Sequence, residues 1–215
     1  MGKLLDWLDS RFALKRTHGR FLQRRIPSDL GYTYCFGGVA FTCFLMLAFS
    51  GFLLSLYYVP SEKDAYRSIV MITNEVTLGW VVRGLHKWSA SLFIVSIMFH
   101  TIRVFVSKAY RPPRDLNWMV GVVAFVLAMF SGFTGYLLPW DQKAYWATEV
   151  GTAMSQNVPF IGDYVMYAFR GGPEVGGVTL VRFYSFHMLY LPASISVLLW
   201  THFHMVKRLG ISKNL

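Results

Sequence analysis

Histidines at regular spacing are the residues of this chain whose type and position could do chemistry. His86 and His100 lie fourteen residues apart inside the apolar stretch 80–106. Fourteen residues make close to four turns of an α-helix, so both imidazoles leave one helix face, roughly 21 Å apart along the axis. Ionisable side chains inside a membrane are costly and indicate a functional site. The stretch therefore predicts two sites at two depths, each with one ligand from this helix.

A second apolar stretch, residues 180–203, supplies a partner for each of these histidines. His187 and His202 lie within it, and His204 lies just past its end. A step of fifteen residues from His187 rotates the side chain by about 60° beyond whole turns, whereas a step of seventeen leaves it about 100° away on the other side. We therefore expect His202, rather than His204, to share a face with His187.

Two parallel helices that each carry an upper and a lower histidine form two bis-imidazole sites stacked across a membrane. Zinc usually has four protein ligands, or three with an open water position, so a bare pair of imidazoles does not suit it. Axial histidine ligation is a normal way of holding haem iron. The spacing therefore predicts two haem groups, one at each depth.

The composition predicts an integral membrane protein. Of the 215 residues, 54% are hydrophobic and only 15% are charged, which differs from ordinary soluble domains. The apolar stretches predict four crossings, at residues 32–59, 80–106, 116–138 and 180–204. The expected fold class is an all-α, four-helix transmembrane bundle.

The distribution of charge predicts the orientation of these crossings. A net charge of +10 could indicate a nucleic-acid partner, but the basic residues are confined to alternate connections. Lys and Arg exceed Asp and Glu in residues 1–33, 107–117 and 204–215, and the reverse holds in residues 59–79 and 139–179. By the positive-inside rule, both termini lie on the cytoplasmic or stromal side, here called the n side. The acidic connections lie on the opposite, p side, and no nucleic acid is expected.

The chain divides into two predicted parts. Residues 1–31 mix Leu4, Trp7 and Phe12 with charges, which predicts an amphipathic helix lying on the n-side surface; a solvated basic tail is the alternative. Residues 32–215 form the haem-binding transmembrane domain. The long connection after the third crossing contains two short amphipathic segments, near residues 143–154 and 160–169, which predict short helices along the p-side surface. Loops of this length usually have a function.

Glycines repeat the period of the histidines in the first and third crossings. Gly37 and Gly51 are fourteen residues apart, as are Gly121 and Gly135. Glycine in membrane helices usually permits close helix packing. The shared period instead indicates bare backbone that faces flat macrocycles at two depths, where a side chain would block contact.

Three arginines lie on the same faces as the histidines. Arg83 precedes His86 by three residues, Arg103 follows His100 by three, and Arg182 lies at the p-side end of the last crossing. Each is displaced toward the nearer surface, where haem propionates would need a cation. Snorkelling to lipid headgroups is the alternative for each of them.

The chain resembles the N-terminal, four-helix half of the split cytochrome b of quinol-oxidising complexes, the b6 type. The resemblance covers essentially the whole chain and is carried by the runs HKWSASLFIVSIMFH, RPPRDLNWMVG, TGYLLPWDQ and RFYSFH. It implies that His86 and His187 hold the p-side haem b and that His100 and His202 hold the n-side haem b. The helix directions give the same pairing.

The resemblance also implies a function in a larger complex. Electrons would pass from quinol oxidation on the p side to a quinone reduction site on the n side, which contributes to proton translocation. The chain would not be catalytic alone, because Pro173 and Glu174 are followed by Val175 rather than by the tryptophan of the PEWY motif. The implied partners are a C-terminal cytochrome b subunit, a Rieske iron–sulfur protein and a c-type cytochrome subunit, in a dimeric quinol:electron acceptor oxidoreductase.

Two residues refine the resemblance. Cys35, in the run YCFGG, matches a position at which some members hold a third, c-type haem through a single thioether bond; without the resemblance it reads as a small buried hydrophobe, as Cys43 does. Lys87 stands where photosynthetic members usually have arginine. Together with the runs YCFGG and RGLHKW, this favours a bacterial cytoplasmic membrane over a thylakoid, and menaquinone over plastoquinone.

Two other classes of protein also fit four apolar helices. A di-haem membrane anchor of a dehydrogenase or hydrogenase would carry a similar ligand set, but its histidines are generally less regularly spaced, and it would need neither Cys35 nor the glycine period. A haem-free transporter or structural subunit would show no haem spectrum.

Overall fold

The computed structural model describes residues 6–7, 9–11, 13 and 31–210 of the chain. Eight α-helices follow a short 3-10 turn at Tyr32–Cys35, and no strand occurs in the described part. The helices are α1 (Phe36–Ser55), α2 (Ala65–Asn74), α3 (Gly79–Val106), α4 (Asp115–Leu137), α5 (Gln142–Ala153), α6 (Gly162–Arg170), α7 (Gly177–Ser185) and α8 (Leu191–Leu209). A π turn at Phe186–Tyr190 joins α7 to α8.

Four helical spans are long and apolar enough to cross a membrane. They are Tyr32–Ser55, Gly79–Val106, Asp115–Leu137 and Gly177–Leu209, with 24, 28, 23 and 33 residues, and about 20 residues suffice for a bilayer core. Large apolar side chains such as Trp88 (74% exposed) and Trp200 (71% exposed) cover the outside of the bundle. The predicted fold class, an all-α four-helix membrane bundle, is confirmed.

The N-terminal segment predicted as a surface helix, residues 1–31, lies largely outside the described residues. Contacts divide the chain into Met1–Tyr32 and Thr33–Leu215, whereas the division into a surface segment and a haem-binding domain at residues 31 and 32 stays a prediction. The amphipathic role of this segment stays a prediction.

The first membrane helix ends at Ser55, before the predicted residue 59. Val59 precedes Pro60, and the proline ring disfavours the α conformation at the residue before it. The chain instead turns back, and the Tyr58 hydroxyl donates a hydrogen bond to the Leu138 carbonyl oxygen at 2.7 Å. Burial raises the pKa of Tyr58, so the hydroxyl keeps its proton and ties the end of α1 to the end of α4.

The bundle consists of two helix pairs, because α1 packs along α3 and α4 packs along α8. One buried cluster lies at mid-height and joins all four helices: Ala40, Cys43, Phe93, Ala128 and Ile195. A second cluster lies toward one end, beneath the short helices: Tyr58, Ala65, Ile72, Leu137, Leu180 and Phe183. Cys43 is 3% exposed, in keeping with its interpretation as a core residue.

The short helices α5 and α6 form a layer over this end, within two residues of the bounds predicted for them. Arg170, only 4% exposed, holds the layer together. Its guanidinium forms an ion pair with Glu149 at 2.8 Å and donates to Thr152 Oγ1 at 2.7 Å. The Thr179 hydroxyl of α7 donates in turn to the Arg170 carbonyl at 2.7 Å. The layer is therefore fastened to the chain segment that leads to His187.

Candidate functional site

Four histidines meet as two pairs inside the bundle. The ring centroids of His86 and His187 are 6.1 Å apart, and those of His100 and His202 are 6.4 Å apart. His204, by contrast, is exposed, and its ring lies 6.1 Å from the Trp200 ring. The structure therefore brings together the pairs that the helix directions had predicted, with His202 rather than His204 as the partner of His100.

The π turn accounts for the spacing of fifteen residues between His187 and His202. His187 lies inside this turn, in which the Leu191 N–H donates to the Phe186 carbonyl, five residues back. A π turn takes up one more residue than an α-helical turn. Pro192, which has no N–H to donate to the carbonyl four residues earlier, follows at the start of α8. His187 and His202 therefore lie on one helix face although they are fifteen residues apart, as two residues fourteen apart would in an unbroken α-helix.

The glycines of α1 lie directly opposite the histidines of α3. A Cβ built on Gly37 would lie 3.1 Å from Cε1 of His100, and one on Gly51 would lie 3.2 Å from Cε1 of His86. Carbon atoms in ordinary contact are about 3.5–4.0 Å apart. A side chain at either position would therefore push the imidazole away.

The glycines of α4 repeat this relation with the last crossing. A Cβ on Gly121 would lie 3.3 Å from Cε1 of His202, and one on Gly135 only 2.5 Å from Cε1 of His187. The sequence predicted bare backbone facing a macrocycle, whereas the nearest atoms in the structure belong to the imidazoles. The shared period of glycines and histidines arises because each glycine faces one histidine of the adjacent helix.

A cavity lies beside each histidine pair, between the two helix pairs. The cavity at His86 and His187 has a volume of about 280 Å³, and that at His100 and His202 about 270 Å³. Phe93, seven residues from both histidines of α3, lines both cavities. The two sites are thus separated by little more than the mid-height cluster.

Hydrogen bonds leave one ring nitrogen of His86 and of His187 available as a ligand. The Ser50 hydroxyl donates to the Met46 carbonyl at 2.6 Å, so its oxygen accepts from Nδ1 of His86 at 2.9 Å. Nδ1 of His187 donates to the Ser131 carbonyl at 2.9 Å. A proton on Nδ1 leaves the lone pair of Nε2 for a metal.

The cavity at His100 and His202 is bordered by cationic and polar side chains, among them Arg103, Arg114 and Asn117. Cζ of Arg103 lies 3.8 Å from the centroid of the Tyr34 ring. In the described part of the chain, Nδ1 of His202 makes no hydrogen bond of ordinary geometry, although the Asn117 carbonyl interacts with it.

The other arginines of the predicted site contact neighbouring elements. Arg83 donates to Thr73 Oγ1 at 3.1 Å, and Arg182 donates to the Ala168 carbonyl at the end of α6 at 2.6 Å. Neither lines a histidine cavity. Their role as propionate partners stays a prediction.

Cys35 is an exposed free thiol at the end of the 3-10 turn. Its chain neighbours Tyr34 and Gly37 line the cavity at His100 and His202, whereas Cys35 itself does not.

The geometry of each pair fits one metal ion held between two imidazoles. With metal–nitrogen bonds of about 2 Å on both sides, two such rings have centroids about 6 Å apart, close to the distances of 6.1 and 6.4 Å found here. Within residues 31–210 no three His, Cys, Asp or Glu side chains converge on a metal site. The donor set is therefore two imidazoles, which would suit iron whose other ligands come from a macrocycle.

The fold and the site define a multi-pass membrane protein with two stacked bis-histidine sites. The family model described as cytochrome b/b6/petB matches residues 21–210, and the chain belongs to this family. Membership implies haem b as the cofactor and electron transfer in a quinol:cytochrome c reductase-type complex as the function.

Relatives of two kinds match nearly the whole chain. A menaquinol:cytochrome c reductase cytochrome b subunit from Geobacillus thermodenitrificans is 43% identical over 220 residues, covering 99% of this chain and 98% of the relative. A cytochrome b6 from Synechococcus elongatus is 39% identical over 212 residues and covers 99% of both chains. A chain of a hyperthermophilic respiratory Complex III superposes with a TM-score of 0.86 at 30% identity; the match covers 96% of this chain but 55% of that one.

Proposed function

We propose that this chain carries two haem b groups and passes electrons between quinol oxidation on the p side and quinone reduction on the n side. The observation that carries the proposal is the pair of centroid distances, 6.1 and 6.4 Å, at two depths of one bundle. Family membership favours this function over the membrane anchor of a dehydrogenase or hydrogenase.

The protein's own residues hold and orient the cofactor. His86 and His187 would ligate one haem iron, and His100 and His202 the other. The haem supplies a one-electron redox centre at each level. Ser50 and the Ser131 carbonyl fix the ring orientation at the first level, and the four glycines leave the space that these rings need. Arg103, which borders the second cavity, is placed to neutralise a propionate there.

The chain would work within a larger complex that also translocates protons. We infer a C-terminal cytochrome b subunit, a Rieske iron–sulfur protein and a c-type cytochrome as partners in a dimeric assembly. The similarity to a chain of a respiratory Complex III supports an assembly of several subunits. The similarity to a reductase named for menaquinol supports menaquinone as substrate. The charge pattern supports both termini on the n side. Lys87 and the runs YCFGG and RGLHKW support a bacterial cytoplasmic membrane.

The histidine assignment is tested by two neighbouring substitutions. His202→Ala should reduce the haem b content of the purified complex from two to one, because it removes one axial ligand, whereas His204→Ala should leave two. Pyridine haemochrome analysis and a reduced-minus-oxidised spectrum measure the content. Loss of haem in the His204 variant alone would contradict the proposal.

A covalently attached haem at Cys35 is the second part of the proposal. The thiol is exposed, so it can react with a haem vinyl group, and Cys43 is buried in the core. We expect this chain to keep peroxidase-active haem after denaturing electrophoresis, and Cys35→Ala to lose that haem while Cys43→Ala keeps it. A wild-type band without haem stain would reject covalent attachment but would leave the two haem b groups in place.

A further inference from the structure

The Ser50 hydroxyl is buried against one of the four histidines. Ser50 is 0% exposed and directly precedes Gly51, the glycine that faces His86. Its proton is used in the short bond to the Met46 carbonyl, 2.6 Å away. The oxygen therefore accepts from Nδ1–H of His86, at 2.9 Å, and the Leu47 carbonyl also interacts with this imidazole.

We propose that Ser50 is a positioning residue that sets the tautomer, orientation and basicity of the His86 imidazole, and thereby lowers the reduction potential of the haem held by His86 and His187. An acceptor on the outer nitrogen raises the basicity of a ligating histidine. A more basic axial ligand stabilises the oxidised iron, and hydrogen bonding around the ligands is one of the protein's means of tuning haem potential. This inference rests on the proposed function.

The second histidine level has no equivalent of this contact. Among residues 31–210, neither His100 nor His202 bonds to a side-chain hydroxyl, and Nδ1 of His202 makes no hydrogen bond of ordinary geometry. Removal of the Ser50 oxygen should therefore affect one haem and leave the other unchanged. A general loosening of the bundle would affect both.

Ser55 provides a matched control in the same helix, α1. Its hydroxyl donates to the Phe52 carbonyl at 2.7 Å, and it lines neither histidine cavity. Ser55→Ala makes the same change of side chain as Ser50→Ala, but it removes a hydrogen bond within α1 rather than one to a histidine. Only Ser50→Ala should therefore change the electronic state of a ligand.

The test is a potentiometric titration of the purified complex, followed by the absorbance and the low-spin EPR signals of the two b haems. In Ser50→Ala we expect the potential of one haem to rise, with a change of up to about tenfold in its reduced-to-oxidised ratio, or 59 mV for one electron. The other haem, and both haems in Ser55→Ala, should keep their wild-type potentials. Ser50→Cys, with a weaker acceptor, should give a smaller shift of the same sign.

The possible failures are distinguishable. Two b haems with wild-type potentials in Ser50→Ala would overturn the role of Ser50 and leave the haem ligation intact. If Ser50→Ala loses a haem, the potential of the haem in Ser50→Cys becomes the test of the role of Ser50. A wild-type potential in Ser50→Cys would overturn the inference. If His86→Ala retains both haems, the proposed function itself is wrong.

Discussion

Gly135 is the glycine at which an added side chain meets the least space. A Cβ there would lie 2.5 Å from Cε1 of His187, whereas one on Gly84 of α3 meets no atom within 4 Å, and Gly84 lines neither histidine cavity. We expect Gly135→Ala to displace His187 and to lower the haem b content from two toward one. Gly84→Ala should keep two, as measured by pyridine haemochrome analysis.

The other glycines should give graded effects. Gly121→Ala places its Cβ at 3.3 Å from His202, which a shift of a few tenths of an ångström relieves. Haem loss should therefore be smaller than in Gly135→Ala. Equal loss in the two variants, or loss in Gly84→Ala, would show that the glycines act through helix packing rather than through the facing imidazoles.

At the scale of residues, the sequence indicates the histidines that could ligate iron better than it indicates the residues that these histidines and the nearby arginines contact. His86 and His100 stand out because their type is rare in apolar stretches and their spacing is regular. Ser50 carries no such signal, since buried serines are ordinary in membrane helices and its role depends on how α1 meets α3. Likewise Arg83 and Arg182 share a helix face with the histidines, but their partners come from Thr73 and Ala168 in other elements.

The π turn at Phe186–Tyr190 is the element that keeps His187 and His202 on one face. Deleting Leu189, which is 62% exposed, should let this turn become α-helical and give a spacing of fourteen, so both b haems should be retained. Inserting one alanine after Leu189 rotates His202 by about 100° and should abolish one haem. Haem content from optical spectra measures both results.

A tolerated insertion, or a deletion that removes a haem, would show that the π turn does not take up the extra residue. This turn was not predictable from the histidine spacing, because a rotation of 100° per residue assumes an unbroken α-helix. A step of fifteen residues left His187 and His202 about 60° apart in rotation, and this offset indicated that the helix between them is irregular. Pro192, at the start of α8, is the residue in the sequence that accompanies this irregularity. The helices themselves were predictable because long apolar stretches leave few alternatives.

At the scale of the whole molecule, the end near His86 is covered by α5 and α6 and depends on one buried cation. Arg170→Met removes the ion pair with Glu149 and the bond to Thr152. We expect a loss of roughly 2–3 kcal/mol in the stability of this layer, less than for a fully buried pair because the Glu149 side chain is 31% exposed. Limited proteolysis should cut residues 142–176 faster, while the haem content stays at two.

Lys143→Met, an exposed change in the same layer, should leave the rate of cleavage unchanged. Loss of haem in Arg170→Met would instead show that the layer and the bundle fold as one unit. The sequence predicted the two short helices of this layer from their amphipathic pattern, but Arg170 has no distinguishing motif. Its burial results from contacts between segments that lie far apart in the chain.

The π turn also has a consequence for aligning this chain with relatives whose two corresponding histidines are fourteen residues apart. The one-residue gap in such an alignment belongs at residues 186–190, where the backbone takes up the extra residue. If the gap is placed later, within α8, every position between the π turn and the gap is aligned with the wrong residue of the relative, one place away. Residues that face the core would then be compared with residues that face the lipid. Comparative models built on that alignment would turn part of α8 by about 100° while still matching every ligand.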